Sequence, residues 1–256
     1  MIISYLDGRV RVYLKGDPSE YKNSVVITGF RGFGMVGYNV SKFLALGLGA
    51  KRVGFIVTKP MPPVVMIEED GEGFPFDIYY SPRAEALIIV NRALPEREHA
   101  DDYAEAIASF ARDLNARFSV LVGGLNASFR PEEEKYGYRH LENEHYKGPE
   151  LDAPVMEEGL GVMGPLALLY MYMTLFGVGA VIVLPYAVAD QIDIDAARRG
   201  IEIISEKILG TAVNLRSLEK YAERLEREKE KIMQIIVPMM QQAEQEEEKE
   251  RKGMYM

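Results

Sequence analysis

The residues from Gly32 to Gly37, GFGMVG, have the types and the spacing of a dinucleotide-binding turn. They form a G-x-G-x-x-G motif between a predicted strand and a predicted helix, where glycines let the backbone approach a pyrophosphate group. A site for NAD also needs an acidic residue at the end of the next strand. That position reads Val57-Thr58-Lys59-Pro60, and the first acid after it is Glu68. We therefore predict that these glycines serve tight turns and close helix–sheet packing. A nucleotide-binding enzyme that uses the Gly29–Gly37 loop is kept as an alternative.

Histidines and carboxylates are grouped in the polar segment from Asn126 to Pro154. This segment places His140 and His145 among glutamates, which are side chains that zinc accepts as ligands. The two histidines are five residues apart, and the sequence does not define the backbone conformation between them. We therefore predict a solvated loop rather than a metal site. Loops of this length inside a compact domain are usually functional or mobile.

Other catalytic patterns are missing from the sequence. It contains no cysteine, no G-x-x-x-x-G-K-[ST] loop for ATP and no G-x-S-x-G turn for a nucleophilic serine. The carboxylate pairs Glu68-Glu69 and Glu157-Glu158 are sequence neighbours that indicate no cleft, so we assign them no acid–base role. The sequence therefore predicts no catalytic residue, no cofactor and no bound metal, and we expect a protein that is not an enzyme.

Composition and charge exclude further classes of protein. The net charge of −9 argues against binding to nucleic acid, which requires a basic surface. The stretch from Gly159 to Ala189 has no charge and is long enough to cross a bilayer. However, Gly164-Pro165 predicts a helix start, Gly177 to Gly179 ends the helix, and a β-branched run follows, so we predict a buried helix and strand and no membrane span. No N-terminal signal is visible, and a cytoplasmic location is expected.

Residues 1–210 alternate short apolar strands with amphipathic helices. Asp7-Gly8 between two strand-like segments predicts a β-hairpin, whereas predicted helices follow the strands Ser24–Phe30 and Ala86–Asn91. Hairpins and crossovers in one chain predict an α/β layered domain with a mixed sheet.

Residues 211–252 predict a long helical extension of about 60 Å at roughly 1.5 Å per residue, with a kink near Pro238. Apolar residues recur at steps of three and four, which is the pattern of helices that pack against one another. The predicted seam residues are Leu218, Leu225, Ile232, Ile236 and Met239, which belong to the series Leu215, Leu218, Ala222, Leu225, Lys229, Ile232, Ile236, Met239 and Ala243. A helix that folds back on its own domain and a seam for self-association both fit the pattern. After this charged helix, residues 253–256 form an apolar tail that contains Met254, Tyr255 and Met256.

Several glycine and proline patterns resemble those of the proteasome-assembly-chaperone family. They are the run GFRGFGMVGYNVSKFLALGLGAKRVGFIVTKPMPP, then Gly123-Gly124 after a buried strand, and GLGVMG at 159–164 before an apolar helix. The resemblance covers roughly residues 20 to 210. It implies a three-layer α/β/α sandwich related in shape to nucleoside phosphorylases, without a known active site.

The same resemblance implies a partner and a docking segment. Archaeal members of the family form homo-oligomers, here expected to be tetramers or pentamers, and work without ATP. They engage the α-ring of the 20S proteasome through a C-terminal tripeptide of a hydrophobic residue, tyrosine and any residue, the HbYX motif. Met254, Tyr255 and Met256 match this tripeptide position by position. The resemblance thus predicts a proteasome assembly chaperone or activator. A homo-oligomeric scaffold that binds another protein through the C-terminal helix is the second alternative.

Overall fold

A computed structural model describes residues 1–133 and 135–253, with side chains described up to residue 234. The chain divides into two compact units, Met1–Leu215 and Arg216–Met256. The first unit contains the α/β fold. In the second unit, one α-helix runs over Arg216–Gly253.

The strands and helices follow one another in the order that the sequence pattern predicts, with three additional strands, Gly71–Gly73, Leu125–Asn126 and Tyr138–Glu142. The strands are β1 (Ile2–Tyr5), β2 (Val10–Leu14), β3 (Val25–Gly29), β4 (Lys51–Thr58), β5 (Met66–Glu68), β6 (Gly71–Gly73), β7 (Phe76–Ser81), β8 (Ala86–Asn91), β9 (Ser119–Val122), β10 (Leu125–Asn126), β11 (Tyr138–Glu142) and β12 (Ala180–Ala187). The α-helices are α1 (Val36–Gly47), α2 (Ala100–Asp113), α3 (Pro165–Leu175), α4 (Ile194–Glu202) and α5 (Arg216–Gly253). A π-helical segment, Ile203–Ile208, continues α4.

Within the described residues, ten of these strands form one mixed sheet, in the order β1-β2-β4-β7-β8-β3-β9-β12-β10, with β11 also paired to β12. The central strands β8, β3, β9 and β12 are parallel to one another. The flanking strands β1, β2, β4 and β7 are joined by antiparallel pairing, and β7 pairs antiparallel with β8. The strands β5 and β6 form a separate hairpin.

Helices cover the central strands on both faces. Because side chains alternate along a strand, Val26, Leu87 and Ile89 pack into a core cluster that also contains residues of α2 and α3. The intervening Ile27 and Ile88 are buried as well, and their strands are in contact with α1. On the same side α4 packs on α1 and β12. The predicted three-layer α/β/α sandwich with a mixed sheet is confirmed.

The polar segment predicted as one long loop contains the strand β11, which the sequence analysis missed. Tyr138 to Glu142 pairs antiparallel with Val181 to Pro185 of β12. The sequence YRHLE lacks an apolar alternation, and yet its first three side chains are buried. Arg139 can be buried because its Nε donates to Glu157 Oε1 at 2.6 Å, and buried charges need such partners.

The helix α3 lies within the uncharged stretch from Gly159 to Ala189 and is apolar around its whole circumference. Leu166, Leu169 and Met173 are buried, whereas Met171 is 51% and Leu175 75% exposed. Among the described residues, no helix is both long and apolar enough to cross a membrane. One face of α3 therefore leaves large apolar side chains uncovered in the single chain.

Candidate functional site

A crevice lies where the chain leaves the adjacent parallel strands β3 and β9. After β3 the chain enters α1 on one face of the sheet and returns through β4. After β9 the chain continues as β10, in the same register along the same edge of β12, and the next strand, β11, pairs with the other edge of β12, in the opposite direction along the sheet. Loops that diverge from neighbouring parallel strands leave a crevice at their carboxyl ends, which is the usual ligand site of open α/β sheets. In this protein the crevice has a volume of about 310 Å³.

Gly37 of the GFGMVG turn, together with Gly29 and Gly124 next to it, permits close approach of backbone segments around this crevice. A Cβ atom on Gly29 would lie 2.5 Å from the carbonyl oxygen of Gly37, and one on Gly124 would lie 2.5 Å from the carbonyl oxygen of Phe33. A Cβ atom on Gly37 would lie 2.6 Å from the carbonyl oxygen of Phe30 and nearer still to that of Val122. These glycines are needed for packing of the turn against the strand ends, as the sequence analysis predicted.

Hydrogen bonds fix the ends of β3 and β8 below the turn. Asn91 Nδ2 donates to Thr28 Oγ1 at 2.9 Å and to the carbonyl oxygen of Gly29 at 3.0 Å. Its Oδ1 accepts a hydrogen bond from the Tyr103 hydroxyl at 2.6 Å. On the other side, the backbone amide of Asp193 donates to the carbonyl oxygen of Gly34 at 3.0 Å. The ends of β3 and β8 and the GFGMVG turn are therefore held by paired polar groups beside the crevice.

The lining of the crevice is mainly apolar. It comes from the turn after β3, from Gly123-Gly124 after β9, and from the segment that precedes and begins α3. The apolar side chains are Phe30, Phe33, Val122, Leu125, Met156, Val162, Met163, Pro165, Leu166, Leu184 and Ala189. Arg31 is the single charged residue of this lining among the described residues, and its guanidinium lies against Tyr38 and Met66, which are not part of the lining. The sequence analysis noted both glycine patterns, but it missed Arg31 and Met156, because nothing along the chain shows that these segments meet.

A buried cluster of charges lies at the end of β8, next to the hairpin of β5 and β6. The Arg92 side chain is 1% exposed, and its guanidinium donates from Nε to Glu68 Oε2 at 2.7 Å and from Nη1 to Asp77 Oδ2 at 2.7 Å. Lys42 Nζ donates to the other carboxylate oxygen of Glu68 at 2.6 Å. The Tyr79 hydroxyl, which accepts from Arg92 Nη2 at 3.1 Å, completes the cluster. Each charge is paired, so the cluster fits a structural role.

The two carboxylates of this cluster have opposite pKa shifts. Burial by itself raises the pKa of Glu68, but the hydrogen bonds from Lys42 and Arg92 outweigh it and place the pKa below the ordinary value of 4.5. Burial dominates at Asp77 and raises its pKa, although the Phe74 amide and Arg92 oppose the shift. Glu68 is therefore the carboxylate that the folded state stabilises in its ionised form.

Replacing Glu68 with glutamine is expected to lower the free energy of unfolding at pH 7 by about 3 kcal/mol, because Lys42 and Arg92 lose their shared carboxylate. A carboxylate with a lowered pKa in the folded state stabilises that state above its unfolded pKa and loses this contribution as the pH falls. The difference between the two proteins should therefore shrink as the pH falls below 4.5. Urea unfolding at a series of pH values measures it. Glu85→Gln, at an exposed ion pair with Arg117, is the control. A difference that stays constant with pH would contradict the prediction.

The histidines of the predicted polar loop do not assemble a metal site. His140 lies buried on β11 with Nε2 3.3 Å from Glu142 Oε1, and His145 lies 3.4 Å from Glu144 Oε1. Among the described residues, no group of three or more histidine or acidic side chains is placed to hold a metal ion.

The predicted docking and seam residues all belong to the second unit. Leu218 is buried, Leu225 is half-buried and Ile232 is 54% exposed. The side chains of Ile236 and Met239, and the tripeptide Met254, Tyr255 and Met256, lie outside the described residues. The helix assignment runs through Pro238 to Gly253. The seam and the tripeptide stay predictions.

The fold and the crevice define an open α/β sandwich with an apolar site at the carboxyl edge of its parallel strands. The sequence matches the PAC2 family over residues 26–233. The chain belongs to the PAC2 family, and the family resemblance seen in the sequence is confirmed.

Relatives and solved structures agree with this assignment. An uncharacterized protein of Methanocaldococcus jannaschii is 25% identical over 233 residues, which cover 89% of this chain and 90% of that protein. PbaA of Pyrococcus furiosus, an archaeal homolog of proteasome-assembly chaperone, has a TM-score of 0.70 at 21% identity and covers 96% of this chain and 99% of its own. PbaB of Pyrococcus furiosus, an archaeal proteasome activator, has a TM-score of 0.66 at 19% identity, over 88% of this chain and 98% of its own. At these identities the two structures show the fold.

Proposed function

We propose that this protein is an ATP-independent proteasome assembly chaperone or 20S proteasome activator that docks on the α-ring through Met254, Tyr255 and Met256. The observation that carries the proposal is a PAC2-family body followed by a hydrophobic-Tyr-X terminus. The likeness to PbaA and PbaB supports a proteasome partner. Chaperone and activator require the same docking, and the proposal covers both. It assigns no catalytic step, and it places the protein in the cytoplasm.

The chemistry of the tripeptide suits a pocket between two subunits of a ring. A terminal carboxylate can pair with a lysine and accept backbone hydrogen bonds, which is a recurring mode of end-group recognition. The Tyr255 ring supplies apolar area and a hydroxyl with few rotatable bonds to immobilise. Met254 supplies an adaptable apolar contact. The helix α5, which precedes the tripeptide, has 38 residues.

We propose further that the protein acts as a homo-oligomer of four or five copies. The uncovered residues Met171 and Leu175 of α3 support self-association, because exposed apolar patches commonly mark interfaces. These two side chains carry no charge, so burying them between two copies removes no ion from water. The seam of α5 (Leu218, Leu225, Ile232, Ile236 and Met239) is the second candidate contact. Several tripeptides on one oligomer strengthen a weak single contact.

Deleting residues 254–256 is expected to weaken co-sedimentation with 20S particles at least about tenfold. Each tail loses the Met254 and Tyr255 side chains, and its terminal carboxylate no longer follows them at the proper spacing. Light scattering should show an unchanged oligomer. Tyr255→Ala should reproduce the loss. Met256→Ala is the matched control and should retain binding, because the last position of the tripeptide accepts any residue. Undiminished binding after the deletion would contradict the docking proposal. It would favour a scaffold that recruits its partner through α5.

A further inference from the structure

The proposed docking function makes no use of the crevice at the ends of β3 and β9. This crevice has the position and the apolar walls that small-molecule sites share. Its volume of about 310 Å³ is at the lower end of the range for such sites, roughly 300–1,000 Å³. Since a water-sized group takes up about 30 Å³, the crevice can hold about ten non-hydrogen atoms.

The walls select for an apolar ligand body. Phe33, Leu125, Met156, Val162 and Leu166 come from three separate segments and converge on the space. Two of the lining residues are methionines, whose flexible thioethers adapt to the shape of a bound group. Met163, at the rim, is 80% exposed, and a ligand in the crevice would cover part of it.

The same walls disfavour a nucleotide. A diphosphate or triphosphate group is bound by several cations and backbone amides together, and the described lining contains a single basic side chain. The glycine turn, which such a group would contact, is packed against the strand ends instead. The charge of the lining matches one anionic group.

Arg31 is that single charged residue, and its guanidinium reaches beyond the lining to Tyr38 and Met66 without an acidic partner among the described residues. It lies 5.2 Å from the centre of the Tyr38 ring, and its Nη2 is 3.9 Å from Met66 Sδ. None of the ion pairs found among the described residues includes Arg31. A planar guanidinium that rests on an aromatic ring keeps its edge available for two parallel hydrogen bonds to a carboxylate.

We propose that the crevice binds a small organic carboxylate, with its hydrocarbon part between the β3 and β9 turns and its carboxylate on Arg31. Charge complementarity carries the assignment, since the one charged residue of an otherwise apolar lining is a cation, whose guanidinium lies beside the crevice in a chain of net charge −9. The ligand class is a monocarboxylate with an aliphatic or aromatic body of about ten non-hydrogen atoms. The site is independent of the C-terminal tripeptide.

Octanoate is the probe for this site, because it combines one carboxylate with a chain of suitable size. Titration calorimetry on the full-length protein should detect octanoate binding, and 1-octanol, which has the same chain and no charge, should bind about tenfold more weakly. Arg31→Gln should weaken octanoate about tenfold and leave 1-octanol unchanged. Arg97→Gln, at an exposed arginine, is the matched control and should bind like the wild type.

A second variant tests the location of the ligand body. Gly161 lines the crevice, and a Cβ atom there would meet open space, so Gly161→Leu should fill the crevice, keep the melting temperature and weaken both probes. The proposal is overturned if octanoate does not bind, if it binds no better than 1-octanol, or if Arg31→Gln or Gly161→Leu binds octanoate like the wild type.

Discussion

Replacing Arg92 with methionine is expected to lower the free energy of unfolding by about 3–5 kcal/mol, the usual cost of removing one partner from a buried ion pair. The Arg92 side chain is 1% exposed, and its guanidinium donates to Glu68, to Asp77 and to the carbonyl oxygen of Phe74. Methionine fills much of the same volume but leaves the two carboxylates without their shared cation. Urea or guanidinium unfolding, analysed by linear extrapolation, measures the loss.

Arg9→Met is the matched control for this substitution. Arg9 also makes two short bonds to one carboxylate, Asp102, at 2.6 and 2.7 Å, but its side chain is 51% exposed. An exposed ion pair contributes only about 0–1 kcal/mol, so this variant should be nearly as stable as the wild type. If Arg92→Met cost no more than Arg9→Met, the buried cluster would not have the stabilising role assigned to it.

Adding Glu68→Gln to Arg92→Met should lower the free energy of unfolding by less than the sum of the two single changes, because the effects of substituting residues in contact are not additive.

Replacing Gly37 with alanine is the second substitution with a large expected effect, a loss of at least about 2 kcal/mol. The added methyl group would press on the backbone oxygens of Phe30 and Val122, and these belong to the ends of β3 and β9. Because backbone atoms of two central strands cannot move independently, the whole turn must shift. Chemical or thermal unfolding of the purified variant measures the effect.

Gly32→Ala provides the comparison within the same motif. Gly32 has an extended backbone with φ −161°, and a Cβ atom on it would meet nothing within 4 Å. This variant should change stability by less than about 0.5 kcal/mol. A motif that bound a ligand without a packing role would instead tolerate alanine at Gly37 as well as at Gly32. Equal stability of the two variants would thus contradict the packing interpretation.

Local sequence patterns were sufficient to predict most of the fold. Asp7-Gly8 marks the β1–β2 hairpin, which the structure contains. The β-branched runs at Val25–Gly29 and Ala86–Asn91 are parallel strands that are buried along their whole length. Burial on both faces removes the alternation of polar and apolar residues, and the composition and the flanking turns then identify the strand.

Features that depend on distant partners could not be predicted. Strand β11 has a polar sequence that becomes buried only because β12 pairs with it and Glu157 neutralises Arg139. Glu68 and Arg92 are 24 residues apart, and neither gives a signal of the other in the sequence. The crevice could not be predicted without the strand order, because Arg31 and Met156 line the same space only when β3 and β9 are neighbours. The packing role of the glycine motif could be predicted without knowing its partners. The sequence lacks the acid that would bind the ribose of NAD, so a structural role was favoured over a dinucleotide site.

The length of α5 has a consequence for the entropy of any contact made by the residues that follow it. As a helix of 38 residues, it spans about 57 Å at 1.5 Å per residue, whereas a flexible chain of that length would average about 35 Å between its ends. A flexible tether samples a large volume and loses that freedom when its tip binds. A helical spacer, which is laced here by pairs such as Glu223–Arg227 and Arg224–Glu228, has given up most of that freedom on folding. Binding of a short tip then loses less conformational entropy, because the segment that precedes the tip is already ordered.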